Sequence, residues 1–210
     1  MSVIDIHTHH HPPQPLAVVS VSPENFSPVE CQLYSVGIHP WETTPDGLKE
    51  KMELLSSVAI HPQVVAIGET GIDKLKGGPL FLQMNLFKFH VVLSERIGKP
   101  LVIHDVKAHD IILGLKKDLN PSQNWMIHGF RSKPTVAEMM LKENIYLSYG
   151  EKFNPESLKI TPLPMILTET DESQMSIFEI IERLSQCIGF DIKERVIENT
   201  SRFLETKIKN

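Results

Sequence analysis

Eight short apolar runs, at residues 3–7, 17–21, 34–38, 64–68, 100–103, 124–127, 144–148 and 165–168, set the architecture open to this chain. Helical periodicity fills the longer intervals, at 46–59, 80–97, 107–118, 133–142, 174–187 and 191–206. Apolar runs alternating with amphipathic segments are how a parallel sheet covered by helices reads in sequence. Eight of them predict an α/β fold, a TIM-type (β/α)8 barrel, built as a single domain over residues 1–210. One side does not fit the repeat. A parallel crossover takes about a dozen residues or more, yet only His10 to Leu16 separate the first two runs, with Pro12, Pro13 and Pro15 among them. Residues 22–33 carry no helical stripe either. The first two outer helices are therefore expected to be missing or reduced to turns, with the barrel open or distorted there. The Pro-rich pieces at 12–15 and 155–164 read as short loops.

Composition narrows the function classes. No apolar run reaches the roughly 18 residues that suggest a membrane span. The first residues lack the basic-then-apolar pattern of an export signal, so a cytoplasmic protein is expected. Cys31 and Cys187 stand far apart with no CxxC spacing, which leaves no disulfide framework and no structural zinc site. A net charge of −5 provides no broad basic field for a polyanion. Contact with nucleic acid would have to be local or made through metal ions. No obligate protein partner is evident.

The residues at the ends of the apolar runs are chemically specific. The first run leads into Asp5-Ile6-His7-Thr8-His9, where alternation along a strand puts Asp5, His7 and His9 on one side. The third runs into His39-Pro40-Trp41 and the fourth into Glu69. The fifth ends at His104, the sixth at His128, and the eighth at Glu169-Thr170-Asp171. A lone histidine at a strand end is usually a hydrogen-bonded rim residue. Here His7, His9, Glu69, His104, His128 and Asp171 all fall at C-terminal ends, which converge on one mouth of a barrel. Four imidazoles and two carboxylates suit two divalent ions about 3.5–4 Å apart with a carboxylate between them. Zinc, manganese and magnesium are all compatible with this donor set.

In order along the chain, these motifs resemble the TatD family of metal-dependent hydrolases, within the amidohydrolase-like barrels. The resemblance rests on Asp5-Ile6-His7-Thr8-His9, Gly37-Ile38-His39-Pro40, Gly68-Glu69-Thr70-Gly71-Ile72-Asp73, Gln83-x-x-x-Phe87, Lys99-Pro100-Leu101-Val102-Ile103-His104, His128-Gly129-Phe130 and Glu169-Thr170-Asp171. Asn199 to Phe203 is similar to the family's closing helix. The resemblance implies that His7, His9, Glu69 and Asp171 hold one ion, and that Glu69 shares a second with His104 and His128. It also implies a phosphodiester substrate, since many members are deoxyribonucleases. The chain departs from the family pattern at Val106, where an Arg is usual, at Lys74, where an aromatic is usual, and at Ser173, where a Pro is usual.

The expected chemistry is hydrolysis by a water that the two ions acidify, with Asp171 accepting its proton and Glu69 bridging the ions. Asp5 would orient a ligand histidine or simply accept backbone amides. His39, Lys74 and Lys107 are candidate substrate contacts, and Trp41 could stack on a ring or cover apolar surface. His10, His11, His61, His90 and His109 read as loop or helix residues. The expected partner is DNA or a small phosphate-containing substrate. A hydrolase of a small phosphate ester, amide or lactone is the alternative within enzymes. A non-catalytic metal-binding barrel is the alternative outside them.

Overall fold

The computed structural model describes residues 3–205. Its eight strands are β1 (Asp5–Thr8), β2 (Ala17–Val21), β3 (Leu33–Val36), β4 (Val64–Asp73), β5 (Leu101–Val106), β6 (Trp125–Ile127), β7 (Ile145–Tyr149) and β8 (Ile166–Thr168). They pair in sequence order, every neighbour parallel. Among the described residues seven helices lie outside the strands: α1 (Leu48–Val58), α2 (Leu80–Ile97), α3 (His109–Leu119), α4 (Pro134–Lys142), α5 (Pro155–Ile160), α6 (Ile177–Ile188) and α7 (Lys193–Leu204). This is the expected TIM-type barrel. Residue 206, the end of the last expected helical segment, lies outside the described residues.

Between β1 and β2 there is no helix, and between β2 and β3 only a 3-10 turn at Pro23–Asn25. The barrel is nevertheless not open there, because β1 pairs with β2 and β2 with β3. Gln32 explains how. Its buried carboxamide donates to the carbonyls of Gln14 (3.2 Å), Ala17 (2.9 Å) and Leu33 (3.0 Å), and its oxygen accepts from the Gln14 N–H. One side chain thus ties the two helix-free connections together. Gln32→Ala would leave these groups without their partner, at a cost of about 2 kcal/mol. A urea denaturation midpoint lowered at constant slope is the expected result.

The differences from the sequence expectation that matter here concern one helix and two strand ends. Residues 155–160, expected within a loop, form α5. Pro155 occupies the first helical turn, where its missing N–H costs nothing, and Asn154 caps the helix by accepting from the Ser157 N–H at 3.0 Å. Strands β4 and β5 run on to Asp73 and Val106, paired through Gly71 with His104 and Ile72 with Asp105. Glu69 and His104 therefore stand on the strands themselves, on the most extended ladder of the barrel.

The barrel interior is packed by Ile6, Val18, Ala66, Val102, Met126, Tyr146 and Leu167, with Phe203 of α7 closing one end against Tyr146. Strand alternation carries this inward face on toward the mouth. His104, His128 and Glu169 lie two residues beyond Val102, Met126 and Leu167, so they share it. His7 and Glu69 sit at irregularities, where the register shifts between Asp5 and Thr8 and between Ile67 and Thr70. The barrel closes through an isolated parallel bridge between Thr8 and Asp171. In it the Asp171 N–H donates to the His7 carbonyl (2.9 Å) and the His9 N–H to the Asp171 carbonyl (3.0 Å).

Candidate metal centre

Glu69 is the hub of the mouth. It is 5% exposed, and its two carboxylate oxygens face different groups. Oε2 lies 3.4 Å from His7 Nε2 and 3.3 Å from His9 Nε2. Oε1 lies 2.7 Å from His104 Nδ1, 2.8 Å from His128 Nε2 and 2.9 Å from His39 Nε2. Asp171 faces the first group, with Oδ1 at 3.9 Å from His7 Nε2 and 3.7 Å from His9 Nε2. The six residues singled out from sequence as ligands thus meet at one mouth.

Two further carboxylates, given no role from the sequence, back this cluster. Asp73 Oδ2 lies 3.3 Å from His104 Nε2, and Glu169 Oε1 lies 3.4 Å from His128 Nδ1. Each holds the ring nitrogen on the side away from Glu69, which fixes the imidazole's orientation and raises its basicity. Glu169 also accepts the Gly129 N–H at 2.6 Å. The sequence signal for Glu169 is its parity with Leu167. That for Asp73 is its place four residues beyond Glu69, still on β4.

His39 differs from the other rings. Its Nδ1 accepts the Trp41 backbone N–H at 3.2 Å, capping the turn Pro40–Glu42, so its proton resides on Nε2 and is donated to Glu69. A nitrogen that carries a proton cannot coordinate a metal ion. His39 is therefore a hydrogen-bond donor at the mouth, which suits a substrate oxygen better than an ion.

Electrostatics reflect the packing of so many titratable groups together. Burial would raise the Glu69 carboxyl, but the charge of His128 and hydrogen bonds from His104, His128 and His39 hold it well below the usual carboxylate range. Burial would lower the His128 imidazole, but Glu69 and Glu169 hold it well above its usual value. His7, fully enclosed, is lowered by burial and by His128 beside it, despite Glu69. His9 is more open; burial opposes protonation, but Glu69 and Asp171 raise it.

A cation would fit this cluster. Both His7 ring nitrogens and Glu169 Oε2 are buried without a hydrogen-bond partner among the described residues. His104 Nδ1 and His128 Nε2 also face each other at 3.4 Å. Buried polar atoms left without partners, beside imidazole nitrogens that face each other, are costly unless a positive charge joins them. Among the described residues three ligand groups have atoms close enough together to hold an ion: His7 with His9 and Glu69, His7 with His128 and Asp171, and His39 with Glu69 and His104. The proton on His39 Nε2 weakens the third as it stands, and His128 is the better partner for Glu69 and His104.

The other candidates lie elsewhere. Asp5 touches no ligand ring. Its carboxylate accepts the Thr170 N–H (3.0 Å) and hydroxyl (2.6 Å) and the His7 N–H (3.4 Å), and burial pushes it up to about 7. It braces the segment that carries Asp171. Lys74 Nζ pairs with Asp110 at 2.8 Å, away from Glu69. Lys107 is exposed just beyond β5. His90 is a core residue: Nε2 accepts the Ile38 N–H, Nδ1–H donates to the Leu86 carbonyl, and burial pushes it down to about 4, so it is neutral. His10 Nε2 bonds the Ser173 carbonyl at 2.8 Å.

Known proteins resemble this chain in sequence and in fold. The family model described as TatD related DNase matches residues 29–188. The chain is 30% identical over 146 residues to the uncharacterized metal-dependent hydrolase YabD of Bacillus subtilis, covering 65% of this chain and 57% of that one. It is 30% identical over 177 residues to an uncharacterized metal-dependent hydrolase of Buchnera aphidicola, covering 77% and 66%. The chain thus spans less than two thirds of the length of these relatives. Among solved structures, the TatD homolog YjjV of Escherichia coli superposes with a TM-score of 0.76 over 96% of both chains. At 18% identity that likeness speaks for the fold. With the family model covering more than half of the sequence, and the histidines and acids of its motifs gathered at one mouth of the barrel, the chain belongs to the TatD family.

Proposed function

We propose that the chain is a metal-dependent hydrolase of phosphodiester bonds, with DNA as the first substrate to test. The observation that carries this reading is Glu69, whose two oxygens face two separate sets of imidazoles. That is the arrangement a carboxylate takes when it bridges two ions. His7, His9, Glu69 and Asp171 would hold one, and Glu69, His104 and His128 the other. Bound there, divalent ions supply Lewis-acid charge and an acidified water. The chain's own residues do the rest. Asp73 and Glu169 fix the His104 and His128 rings. His39 offers its Nε2 proton to a substrate oxygen. Asp171, with a side chain 41% exposed, stands where it can take a proton from water.

Asp171→Asn should lower turnover at least about a hundredfold, the lower range for loss of a general base. Its far-UV spectrum should not change. Turnover within tenfold of the parent protein would remove Asp171 from the proton path.

One observation favours a smaller substrate. Lys74 is spent on Asp110, and Val106 offers no charge, so two positions that could grip a long polyanion do not. A screen of Mn²⁺, Mg²⁺ and Zn²⁺ against labelled single-stranded DNA, chromogenic phosphate esters, an amide and a lactone separates the readings. Preference for the oligonucleotide supports the phosphodiester assignment. Turnover of the small esters alone would replace it, and no turnover with less than one bound ion per chain would leave a non-catalytic barrel.

A further inference from the structure

We propose that Trp41 and Lys76 form a nucleotide subsite at the rim of the mouth, in which a base stacks on the indole and the lysine turns to its phosphate. The inference rests on the phosphodiester reading and specifies what the substrate carries beside the scissile bond. Trp41 is 46% exposed, which is high for a large aromatic ring. It is not loose. Its indole N–H donates to Asp73 Oδ2 at 2.7 Å, and its ring meets His39 edge-on at 4.6 Å and His104 at 5.8 Å between centroids. The same Asp73 carboxylate touches His104 and, through Oδ1, accepts the N–H groups of Leu75 (2.8 Å) and Lys76 (3.0 Å). Gln83 holds Asp73 in turn, accepting its N–H at 2.8 Å and donating to its carbonyl at 3.1 Å. One braced carboxylate therefore sets the indole, the lysine loop and a candidate ligand ring in fixed relation.

Lys76 completes the site. Its ammonium lies 3.2 Å from the Trp41 ring centroid, so a cation covers the stacking face. The lysine is exposed, and an exposed cation–π contact is weaker than stacking of a base on an aromatic side chain. A base would therefore displace the ammonium, which on its flexible stem remains close enough to meet the phosphate. The His39 and His104 rings that stand beside the indole also lie 2.9 and 2.7 Å from Glu69 Oε1, so a base on Trp41 would direct its phosphate toward the mouth. On the phosphodiester reading, the ligand that joins a planar ring to such an anion is a nucleotide.

The test compares thymidine 5′-monophosphate with 2-deoxyribose 5-phosphate, which differ only in the base. Both are titrated calorimetrically into the Mn²⁺-supplemented protein, with indole fluorescence as a second readout. Trp125 is fully buried, so quenching by the nucleotide reports Trp41. The nucleotide should bind about tenfold more tightly than the sugar phosphate, within the range for one stacked base. Trp41→Leu should bring the two within twofold, while Trp41→Phe keeps most of the difference. A merely structural role for the indole would weaken both ligands alike and leave their ratio unchanged. Lys76→Met should weaken both several-fold and flatten their dependence on salt. Equal binding of the two ligands by the parent protein, or an unchanged ratio in Trp41→Leu, would overturn the subsite. The reading beneath it is judged apart, by turnover of a phosphodiester. Absent turnover with the tenfold ratio intact would refute hydrolysis and support the subsite.

Discussion

Glu69→Ala should abolish hydrolysis, lowering turnover by about a thousandfold or more, while the barrel stays folded. The size reflects the several kcal/mol of charge stabilisation that metal ions contribute, at about 1.4 kcal/mol per decade. The pattern of loss matters more than its size. Because Oε2 faces His7 and His9 and Oε1 faces His104 and His128, removing this carboxylate should weaken both ions at once. His104→Ala should weaken one. Calorimetric titration of Mn²⁺ or Zn²⁺ into the three proteins reads the difference directly. The fold should survive because Glu69 contacts imidazoles at the mouth and takes no part in the apolar interior. One ion binding Glu69→Ala as tightly as it binds the parent protein would show that the carboxylate does not bridge. Metal-dependent hydrolysis surviving in this variant would end the assignment.

The second large effect concerns backbone rather than chemistry. At Gly71 the strand passes so close to β5 that an added Cβ would collide with the His104 carbonyl oxygen. Its φ of 146° also belongs to a region that side chains rarely adopt. Gly71→Ala thus combines conformational strain with overpacking, each about 1–3 kcal/mol. A loss of about 4 kcal/mol lowers the melting temperature by roughly 10 °C in a chain of this length. The ladder that carries His104 is the part that yields, so metal affinity should fall with stability. Gly114→Ala, in the middle of α3 with open space around it, is the internal control and should stabilise by up to about 1 kcal/mol. Equal melting temperatures for Gly71→Ala and the parent protein would refute the close approach.

Local patterns make most of the architecture legible in the sequence. Each strand is visible as an apolar run, and six helices as stripes, because burial on one face imposes its period on the residues. The helix α5 is hidden by Pro155, Pro162 and Pro164, which read as a loop until Asn154 is seen to cap a helix starting at a proline. The six candidate ligand side chains can be picked out because strand ends converge in a barrel. Their supporting carboxylates are harder to read, since parity with Leu167 and a place on the strand of Glu69 give Glu169 and Asp73 a position without a partner. Contact with rings brought in from β5 and β6 is what gives them a place. Long-range pairing also redirects Lys74, whose partner Asp110 lies 36 residues on. The proton on His39 is a fact of three dimensions as well, fixed by the N–H of Trp41.

The bridge between Thr8 and Asp171 makes the seam of the barrel unlike its other junctions. Each of those is a ladder with more than one paired position, whereas β1 meets the segment just beyond β8 through a single bridge, among the residues that bear His7, His9 and Asp171. An ion held by those side chains would clasp the two margins of the sheet like a rivet. Occupancy and seam integrity are then thermodynamically linked, because whatever binds only the closed form stabilises it by mass action. Metal supply would then act as a term in the folding equilibrium of the barrel, with its effect concentrated where the first and last strands meet.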